Sequence, residues 1–345
     1  MSGLKALEDQ VVVLTGASSG IGLATAHRLA GRGARLVLVA RNEAALGDLA
    51  AAIESAGGQA LVVVADVGDR DAVADVRARA VERFGRIDTW INDAGVAIYG
   101  ATTDVPWEDQ RRLFDTNYWG VVAGSLEAVA QFRAQRASGA TAAGKLVNVG
   151  SVLSDRAMIF QGPYSASKHA VKGFTDTLRM ELEEADEAVS VTLIKPGAID
   201  TSYMEHAKNY MDSSGTRNPP PSYDPELVAG AIEHACENDA RDLVIGAGGW
   251  IVGKLGQLAP ALTDAAMKAT GRFLQSSGEP PRPGLRDSLY SPARDGMVRS
   301  SMPPLVPGIG PRRTSLLLTA QMHPVATLAI GALALVGIGA LMRER

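Results

Sequence analysis

The chain has 345 residues, of which 46% are hydrophobic and 21% charged, with a net charge of −4. This suffices for one large α/β domain with additions, while the acidic balance and the lack of a Lys/Arg-rich run exclude nucleic acid as a partner. A single cysteine, Cys236, excludes an internal disulfide and a cysteine-rich metal site, and the five histidines show no metal-ligand spacing.

Met1 to Gln10 is short and mixed in charge, without the apolar core of a leader, so the catalytic part is expected in the cytoplasm. From residue 10 to about 246, short apolar runs alternate with longer helical segments. Val11–Leu14, Leu36–Val39, Leu61–Val64, Ile87–Ile91, Leu146–Val149, Val191–Ile194 and Leu243–Ile245 read as buried strands. Between them lie segments of helical period such as Glu43–Ser55 and Ala72–Arg83. About seven strands with helical crossovers predict an α/β fold, a doubly wound parallel sheet with helices on both faces.

Thr201 to Tyr223 breaks this rhythm and reads as a long excursion beyond the sixth strand, the expected substrate lid. Asp224 and Pro225 mark a helix start as N-cap and first helical residue. Residues 250–275 suggest a further amphipathic helical piece, which closes a domain over 1–275. Residues 276–313, rich in Pro, Gly, Ser and Arg, predict a flexible linker. Val325 to Met342 carries no charge. Its 18 residues span about 27 Å as a helix, slightly short of a ~30 Å hydrocarbon core. The alternatives are a soluble core helix and a C-terminal transmembrane anchor, and the anchor, in the inner (cytoplasmic) membrane, is the expectation.

The first strand runs into Thr15-Gly16-Ala17-Ser18-Ser19-Gly20-Ile21-Gly22. A glycine-rich turn between a strand and a helix brings backbone N–H groups to a phosphate at the helix N-terminus. After the second strand an acid would bind a ribose 2′-hydroxyl, but this chain has Arg41 and Asn42, and a guanidinium suits a 2′-phosphate. NADP(H) is therefore the expected cofactor. In Gly162-Pro163-Tyr164-Ser165-Ala166-Ser167-Lys168-His169, a phenol and an ammonium stand four residues apart on one helix face. Alone, this spacing also fits an exposed amphipathic pair. As a site, it predicts a phenol pKa drawn down from about 10 toward neutrality by the lysine.

Together these residues resemble the short-chain dehydrogenase/reductase family over roughly residues 8 to 250. Thr15 to Gly22 is similar to its Thr-Gly-x-x-x-Gly-x-Gly loop, and Asp66-Val67 falls where members contact adenine. Asn92-Asp93-Ala94-Gly95 resembles its Asn-Asn-Ala-Gly motif but departs at Asp93, which puts a sheet-stabilising hydrogen bond in doubt. Pro196-Gly197-Ala198-Ile199-Asp200-Thr201 is similar to the segment lining the nicotinamide. The resemblance implies a Rossmann-type sheet and a catalytic set of Asn117, Ser151, Tyr164 and Lys168. Ser151 would bind the substrate oxygen, Tyr164 would exchange the proton, Lys168 would hold the tyrosine acidic and reach the nicotinamide ribose, and Asn117 would fix a water. It also implies a homodimer or homotetramer.

The sequence thus predicts an NADP(H)-dependent oxidoreductase acting on a carbonyl or secondary alcohol. Tyr203, Met204, Tyr210 and Met211 in the lid suggest a lipophilic substrate. The competing readings are a non-catalytic dinucleotide-sensing protein on the same scaffold, disfavoured because Tyr164 and Lys168 are both present, and an epimerase, disfavoured by the short lid.

Overall fold

The computed structural model describes residues 3–211, 215–277, 286–292, 295–304 and 308–327. Its strands are β1 (Val11–Thr15), β2 (Arg35–Ala40), β3 (Gln59–Val64), β4 (Thr89–Asn92), β5 (Ile98–Tyr99), β6 (Gly144–Val149), β7 (Val189–Pro196), β8 (Lys208–Asn209) and β9 (Asp242–Ile245). Seven form one parallel sheet in the order β3-β2-β1-β4-β6-β7-β9, while β5 and β8 pair separately. The seven runs expected from apolar character are these seven strands.

The helices are α1 (Gly20–Gly31), α2 (Glu43–Ser55), α3 (Arg70–Phe84), α4 (Trp107–Phe114), α5 (Gly120–Ala137), α6 (Gly162–Glu184), α7 (Pro225–Glu237), α8 (Ala247–Leu258), α9 (Pro260–Gln275) and α10 (Leu316–Met322). The two-residue period of β1 assigns them to layers. Val12 and Leu14 pack with Leu23, Leu46 and Ile232 of α1, α2 and α7. Val11 and Val13 pack with Val76, Phe132 and Leu178 of α3, α5 and α6. Burial on both faces is why the strands read as unbroken apolar runs.

The chain leaves β1 toward β2 and β3, then returns on the other side of β1 as β4. The loops after β1 and β4 therefore diverge, and the crevice at the carboxyl ends of these strands is where such sheets bind ligands. Asp224 caps α7, accepting from the Glu226 N–H at 3.0 Å, with Pro225 at the first position as expected. Residues 247–275 form two helices rather than one piece. Ala259, which precedes Pro260, has φ −139° and ψ 68°, since proline disfavours the helical conformation in the residue before it.

The flexible linker expected over 276–313 lies partly outside the described residues. Its described parts are bonded to the domain: Leu289 is fully buried, Arg299 pairs with the buried Asp224, and the Asp224 N–H donates to the Arg312 carbonyl. Prolines and glycines here suit an extended path whose hydrogen bonds go to another segment, which composition does not reveal. Beyond it, α10 covers the outer edge of β9, its Gln321 side chain accepting from the Val244 N–H at 2.8 Å. Among the described residues no helix is long and apolar enough to cross a membrane. The anchor expected over 325–342 lies outside the described residues from 328 onward.

Candidate active site

A cavity of about 790 Å³ runs along the carboxyl ends of the strands. Its floor is the turn after β1. Gly16 has φ +77°, and a Cβ there would stand 2.9 Å from the backbone of Ala94. A Cβ on Gly22 would stand 2.1 Å from the Gly16 carbonyl oxygen. Both glycines are needed for close approach, and this aims the first turn of α1 into the crevice. Gly16, Ser18, Ser19, Gly20 and Ile21 line the cavity, whereas Gly22 lies behind the turn. Thr201 faces the loop, its Cγ2 3.2 Å from where a Gly20 Cβ would be, and with Pro196, Gly197 and Ile199 it forms the opposite rim.

At the far end the cavity reaches Arg41, Asp66 and Val67. The Arg41 guanidinium donates to the carbonyls of Ser288 and Leu289 and lies 3.9 Å from Asp66. Arg112, which the sequence did not single out, pairs with Asp66 and donates to the Leu289 carbonyl at 3.0 Å. Burial lowers the Arg41 pKa, with the Asp66 charge opposing. Asn42 is not on the cavity wall; its side chain caps α2, accepting from the Ala45 N–H at 3.2 Å.

The four residues expected to be catalytic converge from three elements, with Tyr164 and Lys168 both on α6. Ser151 follows β6 and caps a short 3-10 turn, its Oγ accepting from the Leu153 N–H at 3.0 Å. Ser151 and Tyr203 flank the Tyr164 phenol and act to lower its pKa; the Tyr203 ring lies 5.9 Å from the Tyr164 ring, and its hydroxyl donates to the Val96 carbonyl at 3.1 Å. Lys168, one turn further along α6, donates to the Val149 carbonyl at 2.9 Å, and its Nζ stands 5.8 Å from the centre of the Tyr164 ring. Asn117 lies in a π-helical turn, Asp115–Trp119, between α4 and α5. Such turns are frequent at functional sites. Its Oδ1 accepts from the Val96 N–H at 2.8 Å, and its Nδ2 donates to the Val96 carbonyl at 3.0 Å and to Ser167 Oγ at 3.3 Å. Asn117 thus buttresses the floor under Lys168 rather than lining the cavity.

The expected low phenol pKa is not found. Burial pushes Tyr164 above its ordinary value, the hydrogen bonds from Tyr203 and Ser151 oppose this, and the Asp93 charge adds to the rise. Burial also lowers Lys168 to about 8, with Asp93 opposing. The spacing rule counted the ammonium and could not count the desolvation.

Asn92 corrects another expectation. Its side chain turns away from the crevice into a buried network, donating to Asn148 Oδ1 at 2.9 Å and accepting from Trp90 Nε1 at 2.9 Å. Ala94 and Gly95 do line the cavity. Asp93, where the family motif has asparagine, points between them. Its Oδ2 stands 3.0 Å from where a Gly22 Cβ would be, and the carboxyl is pushed up to about 7, chiefly by burial, with the Lys168 charge and the Gly22 backbone opposing. The residue that raised doubt about a sheet bond therefore stands between the phosphate turn and the lysine.

Beyond Tyr164 the cavity widens between the lid and the α8–α9 hairpin. Val152, Met158, Tyr203, Met204, Met267 and Leu274 make this end apolar. Gly249, Gly253 and Gly256 form a smooth ridge on α8, and a Cβ on Gly249 would stand 2.7 Å from the Val152 side chain. That ridge brings the hairpin down onto the turn carrying Ser151. Leu255 and Leu262 line the cavity yet are 50% and 73% exposed, so this end opens to solvent between the two helices.

These features fit a nicotinamide dinucleotide: helix N–H donors at the centre, the Arg41 guanidinium at one end, and a Ser–Tyr–Lys cluster at the other, along one continuous cavity. Among the described residues no group of acidic, histidine or cysteine side chains could hold a metal ion.

Comparison with known proteins agrees. The short chain dehydrogenase family model matches residues 10–212. An uncharacterized oxidoreductase, YxnA, of Bacillus subtilis (strain 168) is 44% identical over 287 residues, covering 83% of this chain and 79% of that one. A crystal structure of a short-chain dehydrogenase/reductase from Burkholderia phymatum in complex with NAD superimposes with a TM-score of 0.67 at 25% identity, over 75% of this chain and 96% of that one. An alcohol dehydrogenase from the archaeon Thermococcus sibiricus, complexed with 5-hydroxy-NADP, shares the fold, with a TM-score of 0.58 at 23% identity over 68% and 95% of the two chains. The α8–α9 hairpin and the tail lie beyond the family segment.

Proposed function

The chain belongs to the short-chain dehydrogenase/reductase family of oxidoreductases, and we propose that it is an NADP(H)-dependent reductase of lipophilic ketones or aldehydes, reversible toward secondary alcohols. The observation that carries this reading is the placement of Ser151, Tyr164 and Lys168 together on the cavity wall, where the dinucleotide crevice meets the apolar chamber. The cofactor, when bound, supplies the hydride. Ser151 orients the substrate oxygen, and Tyr164 delivers the proton to it. Lys168, held by the Val149 carbonyl and Asp93, keeps a positive charge beside the phenol and favours the phenolate left after transfer.

For the cofactor, the support for NADP(H) over NAD(H) is the pair Arg41 and Arg112 where a 2′-phosphate would lie. Their present partners are carbonyl oxygens and Asp66, and a phosphate dianion makes stronger charge-assisted bonds than a neutral carbonyl. For the substrate, the support is the apolar wall of Met158, Met204, Met267 and Leu274 and the opening beside Leu255 and Leu262. Exposed Trp119, Leu126 and Met180 on and around α5 and α6 favour a homodimer or homotetramer.

The test is NADPH consumption with a panel of ketones of increasing apolar length. Turnover should rise with length. Reduction confined to small hydrophilic polyol-type ketones would overturn the substrate class, and hydride transfer from NADH alone would overturn the cofactor.

A further inference from the structure

We propose that the tail, over residues 286–292 and 295–302, is a strap that roofs the adenosine half of the crevice and must lift each time the dinucleotide enters or leaves. The proposal rests on the cofactor reading above.

Anchors outside the cavity hold the strap at both ends. At one end Leu289 is fully buried in a cluster with Val96, Val105 and Leu113, and the Tyr290 hydroxyl donates to Asp109 Oδ1 at 2.6 Å. At the other, Arg299 forks onto Asp224 at 2.9 and 3.0 Å. Beside it, the Ser300 hydroxyl and the Ser301 N–H reach Glu205 Oε1 at 2.8 and 2.7 Å. This is a built docking, in which Leu289 and the carboxylates of Asp224 and Glu205 are buried.

Between the anchors the strap bonds the groups a dinucleotide would use. The Gly296 N–H donates to the Ser18 carbonyl at 2.9 Å, and the Gly20 N–H donates to the Met297 carbonyl at 2.9 Å. The strap thus pairs with the phosphate turn as an added strand would. Carbonyls of Ser288 and Leu289 accept from Arg41. Yet the strap does not fill the crevice. The cavity persists beneath it, with Ser288, Pro292 and Asp295 on one wall and Val39, Ala65 and Val67 on the other. A segment that plugged the site would leave no such space.

Entry of the cofactor exchanges neutral contacts at Gly20 and Arg41 for bonds to phosphate, which are shorter and stronger. The distal anchors survive that exchange, so the strap recloses over the bound molecule. A roof slows both entry and exit. A plug slows only entry and competes for the site.

The experiment measures NADPH association and dissociation by stopped-flow fluorescence on the full chain and on the triple variant Arg299→Ala, Ser300→Ala, Ser301→Ala, none of which lies on the cavity wall. Both rate constants should rise about tenfold or more, leaving Kd within a few-fold. Unchanged rates in a variant with native circular dichroism would overturn the strap. So would a faster association with unchanged dissociation, the signature of a plug. A second measurement needs no variant: limited trypsin cleavage of the wild-type chain after Arg299 should slow when NADPH saturates, and cleavage that accelerates would overturn the roof. Failure of the wild-type chain to bind NADPH or NADH would instead overturn the cofactor reading and remove the basis of the strap.

Discussion

Lys168 stands one helical turn from Tyr164, its Nζ 5.8 Å from the ring centre, but the hydrogen bonds that oppose the rise in the phenol pKa come from Ser151 and Tyr203. The proton site thus depends on two hydroxyl side chains from different elements flanking the phenol, with the lysine as background charge. Tyr164→Phe should remove the transferable proton and little else. Turnover should fall by about 10²–10⁴-fold, the usual worth of a positioned acid–base. NADPH affinity should stay within a few-fold by fluorescence titration. Turnover above a tenth of wild type would assign the proton to another group.

Arg41 divides the two cofactors. Its guanidinium faces carbonyl oxygens and a carboxylate rather than a built anion site, so replacing it costs an NADH complex little. Charged hydrogen bonds contribute about 1.5–3 kcal/mol, so Arg41→Ala should weaken NADPH about 10- to 100-fold. Titration of both nucleotides decides the matter, and equal losses would remove Arg41 from the 2′-phosphate role.

Asn92 separates framework from site. Its amide is buried and bonded to Asn148 and Trp90, with weaker contacts to Ser125 and the Val121 carbonyl at 3.3 and 3.4 Å. Asn92→Ala should destabilise the domain by about 1–3 kcal/mol through the groups left unpaired. Thermal unfolding will show a drop of a few degrees. A nucleotide Kd raised tenfold in a variant of normal melting temperature would return Asn92 to the cofactor.

The sheet was legible in the sequence because its strands are buried on both faces, so Val11–Leu14 and its counterparts are unbroken apolar runs between glycine-rich or helical stretches. The site was legible where chemistry requires a residue type at a fixed spacing, as at Gly16 to Gly22 and Tyr164 to Lys168. It failed where the deciding partner is distant in the chain. Asn92 and Asn42 carry the side chains of a polar site but spend them on Asn148 and on the α2 cap. Arg112, Leu289 and Met297 bond to residues of the crevice or its rim across long sequence separations that no local pattern encodes. The tail looked unstructured because its partners, Asp224 and Glu205, belong to the domain beneath it.

Asp93 gives the site a pH dependence. Its carboxylate opposes the burial that lowers Lys168 to about 8, so Asp93→Asn should let Lys168 lose its proton at lower pH. If activity requires the ammonium, the alkaline limb of the kcat/KM profile should move to lower pH in the variant. Stability runs the other way. Asp93 is raised to about 7 in the fold from an ordinary 3.8, so the protonated form is favoured and its contribution is lost as pH rises from about 4 through 7. Asp93→Asn should therefore gain in melting temperature over wild type at pH 8, with the gap closing near pH 4. An unmoved alkaline limb would mean that Asp93 does not set the charge of Lys168.

The apolar chamber makes a prediction about length. Met267 of α9 faces the cavity opposite the lid, in the part that opens between Leu255 and Leu262. A substrate whose apolar body extends toward this opening must pass it, whereas a short ketone held at Ser151 and Tyr164 does not reach it. Met267→Trp narrows the passage on a helix that is largely exposed. One misfit methylene in an apolar pocket is worth about 1–3 kcal/mol. The variant should therefore lose about tenfold or more in kcat/KM for long-chain ketones while leaving short ones within a factor of two. Equal losses across the series would place the long chain elsewhere, and improved turnover of long substrates would mean that the ring lines their path as a contact.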